Sequence, residues 1–206
     1  MPRTNEQFKK IKDERKASIL SAALYIFAQA NGERVSIDQI CSKANCSHGL
    51  VYHYFSNVDD VYSSLIKSDV IRELDQCLKI DKNVKAIESI YKIISKFEEV
   101  LSNSENVPFV LLFLNKNEFK STLINLIKSG QKDKDVSSGN PEDIFKTCYY
   151  IYKGFCFDKL SKQNLKEKLP DKDVIFELFK RGKLLWQISC SFHQTFQEFI
   201  QNSLEV

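Results

Sequence analysis

Residues 46–57 read CSHGLVYHYFSN, two histidines and three aromatic rings crowded about one glycine. Tyr52, Tyr54 and Phe55 spread over more than one helical face, so packing against a core does not account for all of them. Two chemistries suit such a set. The first is metal binding, since His48 and His53 lie near Cys41 and Cys46, but C-x4-C-x-H matches no usual structural zinc spacing. No metal and no cofactor are expected. The second is contact with a polyanion. Ser47 offers a hydroxyl to a phosphate or a base, Tyr52 and Tyr54 can aim phenols at phosphates, and Gly49 lets backbone come close. Glycine in a helix costs about 1 kcal/mol against alanine, so Gly49 asks for a reason.

Covalent and phosphoryl chemistry have no support. The chain holds no Gly-rich phosphate loop, no G-x-S-x-G and no His pair at metal-ligating helical spacing, and His193 stands alone. The chain is not expected to be an enzyme.

A series of helices must position the stretch. With Gly 6 and Pro 4 in 206 residues there is little punctuation for a β-sandwich, and 43% hydrophobic residues supply a core, so the fold expected is all-α. Ile19, Leu20, Ala23, Leu24, Phe27 and Ala28 make one helical stripe that stops near Asn31-Gly32. Ser36 caps a short second helix over about 37–43, with Asp38 in its first turn. Asn45 tolerates the left-handed backbone of a tight turn, and Ser47 caps a third helix, on which Val51 and Phe55 can face the core. From Ser56-Asn57 the spacing of Val61, Leu65, Val70, Leu74 and Leu78 predicts one long fourth helix to about Lys79. A fifth follows over about 87–101, one or two more over 107–129, then a loop over 129–140. Asn140 and Pro141 open a helix to about 162, and the last spans about 173–202.

Two short helices joined by a turn form a helix-turn-helix unit, whose second helix enters the DNA major groove by its N-terminal residues. The opening stretch is that second helix. A net charge of +3 is too small to argue for DNA by itself. Residues 1–16 say more, since Arg3, Lys9, Lys10, Lys12, Arg15 and Lys16 face only Glu6, Asp13 and Glu14, a basic leading arm.

The run VSIDQICSKANCSHGLVYHYFSNVDDVYSSLI, residues 35–66, resembles the N-terminal signature of the TetR (tetracycline-repressor) family of bacterial transcriptional regulators. In that signature a threonine or serine, an Ile-Ala pair, an Ala-Gly-Val-Ser turn and a Gly-x-Leu-Tyr-x-Tyr-Phe run follow in order. Ser36, Ile40, Ala44, Ser47, Gly49, Val51, Tyr52, Tyr54 and Phe55 fall on it. The resemblance implies that Ser36, Ser47, Tyr52 and Tyr54 hold phosphates, while His48, Gly49, Leu50 and His53 lie against the major groove. Where the family usually has a lysine this chain has Val58, which leaves the phosphate contact there to Asn57. It further implies a helix-turn-helix DNA-binding domain over 1–57, joined by helix four to a helical effector-binding and dimerisation domain over 58–206.

In that second half Phe97, Phe109, Phe113, Tyr149, Tyr152 and Phe155 are candidates to line a cavity for a small apolar or aromatic effector, with Tyr149 and Tyr152 as polar handles. Taken singly, each ring is better read as core. A dimer seam is expected in the last helix. Ile175, Gly182, Ser189 and Phe196 are spaced seven apart, as are Leu178, Leu185, Phe192 and Phe199. Nowhere are there 18 consecutive apolar residues and no signal-peptide pattern leads the chain, so it is expected to be cytoplasmic, with six reduced cysteines. The expectation is a homodimeric repressor of double-stranded DNA operators. Its rival is an architectural or partner-recruiting protein of the same fold without a small-molecule effector.

Overall fold

Helices carry the described part of the chain, which in the computed structural model comprises residues 5–30, 33–160 and 169–180. In order they are α1 (Asn5–Gln29), α2 (Ile37–Ala44), α3 (His48–Tyr54), α4 (Val58–Leu65), α5 (Asp69–Cys77), α6 (Ala86–Leu101), α7 (Val107–Leu114), α8 (Asn117–Lys132), α9 (Pro141–Leu160) and α10 (Lys172–Glu177). A short 3-10 turn, Ser104–Asn106, precedes α7. The β pairing among the described residues comes to one antiparallel bridge, Val136 to Lys180.

Two apolar cores organise these helices. The first gathers Ile19, Ala23 and Leu24 of α1, Ile40 and Cys41 of α2, Val51 and Phe55, and Val61 and Leu65 of α4. It thus runs past the boundary expected at 57/58 and makes α4 part of the N-terminal unit. The second takes Ile71 and Leu74 of α5 and the buried faces of α6 to α10. Two helices belong to both. Ala28 of α1 enters the second core, and Leu112 of α7 enters the first.

The long fourth helix expected to Lys79 is broken. Ser68 accepts a hydrogen bond from the Ile71 N–H and starts α5 afresh. The break has a packing reason: Val61 and Leu65 serve the first core, whereas Ile71 and Leu74 serve the second, so the chain must turn between them. The expected linking helix is therefore two helices, α4 and α5, which lead from the first core to the second, and α1 and α7 join the cores as well.

The last helix also departs from expectation. Helical backbone begun at Lys172 ends at Glu177, and the Ser137 N–H donates to the Phe179 carbonyl at 2.8 Å. Ile175 is buried in the second core and Leu178 packs against it, so these two members of the expected seam are used within the chain. Gly182, Leu185, Ser189, Phe192 and Phe196 lie outside the described residues.

Candidate nucleic-acid interface

Local hydrogen bonding builds the turn and the helix that follows it. Ser36 Oγ accepts from the Gln39 N–H while Gln39 Oε1 accepts from the Ser36 N–H at 2.8 Å, a reciprocal cap that fixes the start of α2. Its end is fixed by Asn45, whose φ of 49° is the left-handed conformation expected of it, and the Cys46 N–H closes back onto the Cys41 carbonyl at 3.0 Å. Ser47 Oγ then accepts from the Leu50 N–H and starts α3.

Two side chains anchor α3. Val51 and Phe55 are buried in the first core. Leu50 and Tyr54 are half-buried against it, and so turn less surface outward than the sequence suggests. Outward go His48, Gly49, Tyr52 and His53, which at 3.6 residues per turn form one continuous arc. Tyr52 is 55% exposed, a large ring held in solvent. Nothing within the chain lies within 4 Å of the place a Gly49 Cβ would take, so internal packing does not require this glycine.

Three of the groups expected to hold phosphates, Ser36, Ser47 and Asn57, are already hydrogen-bonded, but as acceptors. Ser36 and Ser47 accept backbone N–H groups through Oγ, and Asn57 Oδ1 accepts from the Asp60 N–H at 2.9 Å. Each keeps a donor, the hydroxyl O–H or the amide NH2, and a donor is what a phosphate oxygen takes. The acidic pair after Asn57 is partly spent: Asp60 Oδ2 accepts the Ser56 N–H at 3.0 Å. Sequence reasoning did not find that Asp38 sits 2.8 Å from His48 Nε2, joining the first turns of α2 and α3. Its only signal was an acidic residue in the first turn of a helix next to the recognition segment.

The effector candidates do not line one cavity. Phe97, Phe113 and Tyr152 are buried and packed on each other, with ring centroids 5.8 Å apart for Phe97–Phe113 and 4.8 Å for Phe97–Tyr152. The Tyr152 hydroxyl is turned to the Ile94 carbonyl, and burial holds its pKa well above the ordinary value. Tyr149 donates to Asn115 Oδ1 at 3.1 Å, and Phe155 is half-buried on α9. Phe109 alone of the six lines an open cleft, of about 810 Å³, between α1, α2, α4 and α7. Tyr25 and Lys43 share that cleft, the ammonium 3.8 Å above the ring. Among the described residues no group of His, Cys, Asp or Glu is gathered to hold a metal, and the five described cysteines are free thiols. No described helix is long and apolar enough to cross a membrane.

A short capped helix anchored by two apolar side chains, with its polar arc in solvent and a left-handed turn before it, makes a helix-turn-helix unit. Residues 19–65 match the family described as bacterial regulatory proteins, tetR family. The chain is 26% identical over 182 residues to the transposon Tn10 TetC protein of Escherichia coli, covering 82% of this chain and 89% of that one. It is 30% identical over 95 residues to the HTH-type transcriptional regulator YfiR of Bacillus subtilis (strain 168), covering 46% and 44%. The fold is also that of HlyIIR, a hemolysin II transcriptional regulator, at a TM-score of 0.53 and 14% identity over 83% of this chain and 99% of the other. Residues 19–65 thus carry the N-terminal module of the tetR family of bacterial regulatory proteins.

Proposed function

We propose that the chain is a cytoplasmic, ligand-responsive repressor that binds a pseudo-palindromic operator as a homodimer. The observation that supports it best is the outward arc of His48, Gly49, Tyr52 and His53 on a helix pinned by Val51 and Phe55. In this reading His48, Gly49, Leu50 and His53 meet base edges, and Ser36, Ser47, Tyr52, Tyr54 and Asn57 meet phosphates. Two recognition helices about 34 Å apart would enter successive major grooves.

Effector binding would act through α7. This helix sets Phe109 on the open cleft and Leu112 in the first core, so an apolar or aromatic ligand seated there presses on the DNA-binding unit directly. The dimer seam in this reading is carried by Gly182, Leu185, Ser189, Phe192 and Phe196 with α9. A second reading has its own support, because the mutual packing of Phe97, Phe113, Phe119 and Tyr152 fills the centre of the second core. It is a DNA-bound, partner-recruiting protein without a small-molecule effector.

Selection from random duplexes tests the proposal. Enrichment of a pseudo-palindrome with half-sites one helical turn apart is expected, and recovery of no preferred sequence contradicts it. A small-molecule effector is expected to raise Tm and lower operator affinity together. The second reading expects no such ligand.

A further inference from the structure

The helical backbone of α1 starts at Asn5, long before the core it serves begins at Ile19. Residues 6–18 are exposed apart from Ile11, which is half-buried. A helix solvated on nearly every side gains little from the fold, and most helical stability in proteins comes from packing. An isolated extension of this kind is a surface in want of a partner.

Its charges are sorted by face. Lys9, Lys12 and Lys16 are spaced three and four apart and share one side of the cylinder, while Lys10 is turned away from it and Glu14 lies opposite. Glu6 and Asp13 border the basic side. Continued toward the C-terminus, that same side becomes Ile19 and Ala23, which enter the first core beside Val51 and Phe55. Lys16 confirms the direction, with its ammonium 5.6 Å over the ring of Phe55, the residue that ends α3. Lys9, Lys12 and Lys16 make no ion pair among the described residues. The basic stripe therefore climbs away from the end of the recognition helix by about 10 Å between Lys16 and Lys9.

We infer that this stripe is a phosphate clamp, an α1 extension whose Lys9, Lys12 and Lys16 hold the duplex backbone beside the groove that α3 enters. The inference rests on the DNA-binding reading above and extends the interface beyond the helix-turn-helix. Such contacts add affinity without base preference, and each releases counterions, so each steepens the dependence on salt. They also complete what Val58 leaves out, a cation near the recognition helix where the chain has an aliphatic residue followed by Asp59 and Asp60.

The test uses the full chain and a fluorescein-labelled heteropolymeric duplex long enough for two half-sites, titrated by anisotropy over a salt series. Wild type is compared with Lys9→Gln/Lys12→Gln/Lys16→Gln and with a charge-matched control, Lys79→Gln/Lys82→Gln/Lys120→Gln, at exposed positions elsewhere. The stripe variant is expected to bind roughly tenfold to hundredfold more weakly near physiological salt. Its slope of log affinity against log salt should be shallower by about 0.9 per lost contact. The control should behave as wild type. A stripe variant no weaker than the control overturns the inference, and the recognition-helix reading then still stands if Tyr52→Ala weakens binding. A wild type that does not bind duplex sinks both. Loss of binding to phosphatidylserine vesicles in the stripe variant, with duplex binding unchanged, assigns the surface to a membrane and overturns the clamp.

Discussion

His48 and Asp38 face one another across the turn between α2 and α3, the imidazole Nε2 2.8 Å from a carboxylate oxygen. Both side chains are well exposed, so the pair is worth under about 1 kcal/mol to stability. On the proposed DNA-binding reading its effect should fall on DNA instead, because it would put a negative group at the groove edge and it engages one ring nitrogen of a residue proposed to read bases. Asp38→Ala is expected to leave Tm nearly unchanged, to tighten binding to every duplex, and to alter base preference at the position that His48→Ala alters. Selection from random duplexes with both variants checks this. Identical preferences in wild type and both variants would place the pair off the DNA.

Phe97 lies at the centre of the second core, touching Phe113, Phe119 and Tyr152. Phe97→Ala should lower unfolding free energy in urea by about 3–5 kcal/mol, the cost of lost burial plus the cavity left behind. A loss under about 1 kcal/mol would mean that the rings close over the gap and are not a fixed core.

Gly130 near the end of α8 has no room for a side chain. A Cβ there would overlap Val136 Cγ2 and come within 3.5 Å of the Ala86 Cβ. Val136 is the residue bridged to Lys180, so the strain passes to the segment that ends α10. Gly130→Ala is expected to cost about 1–3 kcal/mol in urea unfolding with an unchanged m value. Wild-type stability would refute the close approach.

Buried thiols set an alkaline limit on the fold. Burial pushes Cys77 and Cys148 up to about 12 from an ordinary value of 9.0, and Cys156 moves in the same direction. Between those values an unfolded chain releases protons that the folded chain keeps. The thiols' contribution to stability is therefore constant below about pH 9 and falls as pH rises through the window, by up to about 1.4 kcal/mol per pH unit for each thiol. Thermal melts of wild type and of Cys77→Ala/Cys148→Ala across this range check the sign. The variant's Tm should fall less steeply, and equal slopes would contradict the assignment.

How much of this was legible in the sequence depended on how local its cause is. Ser36, Ser47 and Asn45 act on backbone groups a few residues away, so α2, the turn and α3 could be placed from the sequence. The break at Ser68 was hidden, because the apolar spacing from Val61 to Leu74 passes through it unbroken. What changes there is the core being served, a nonlocal fact. The N-terminal extension of α1 carries no apolar period to announce it. Ile175 and Leu178 looked like the start of a seam because a heptad stripe does not say whether its partner is another chain or the chain's own core. Side-chain types alone do not separate a lined cavity from packed rings, and Phe97, Phe113 and Tyr152 suit both by type although burial makes them core.

The central claim is that α3 reads a duplex, and the most direct measurement is affinity and base preference of Tyr52→Ala, His48→Ala and Leu50→Ala on duplexes selected from a random pool. Tyr52→Ala should weaken binding to all sequences alike, as loss of a phosphate contact does. His48→Ala and Leu50→Ala should shift which bases are preferred, at about 1–3 kcal/mol per affected position. All three variants binding the same sequences as tightly as wild type would contradict the account.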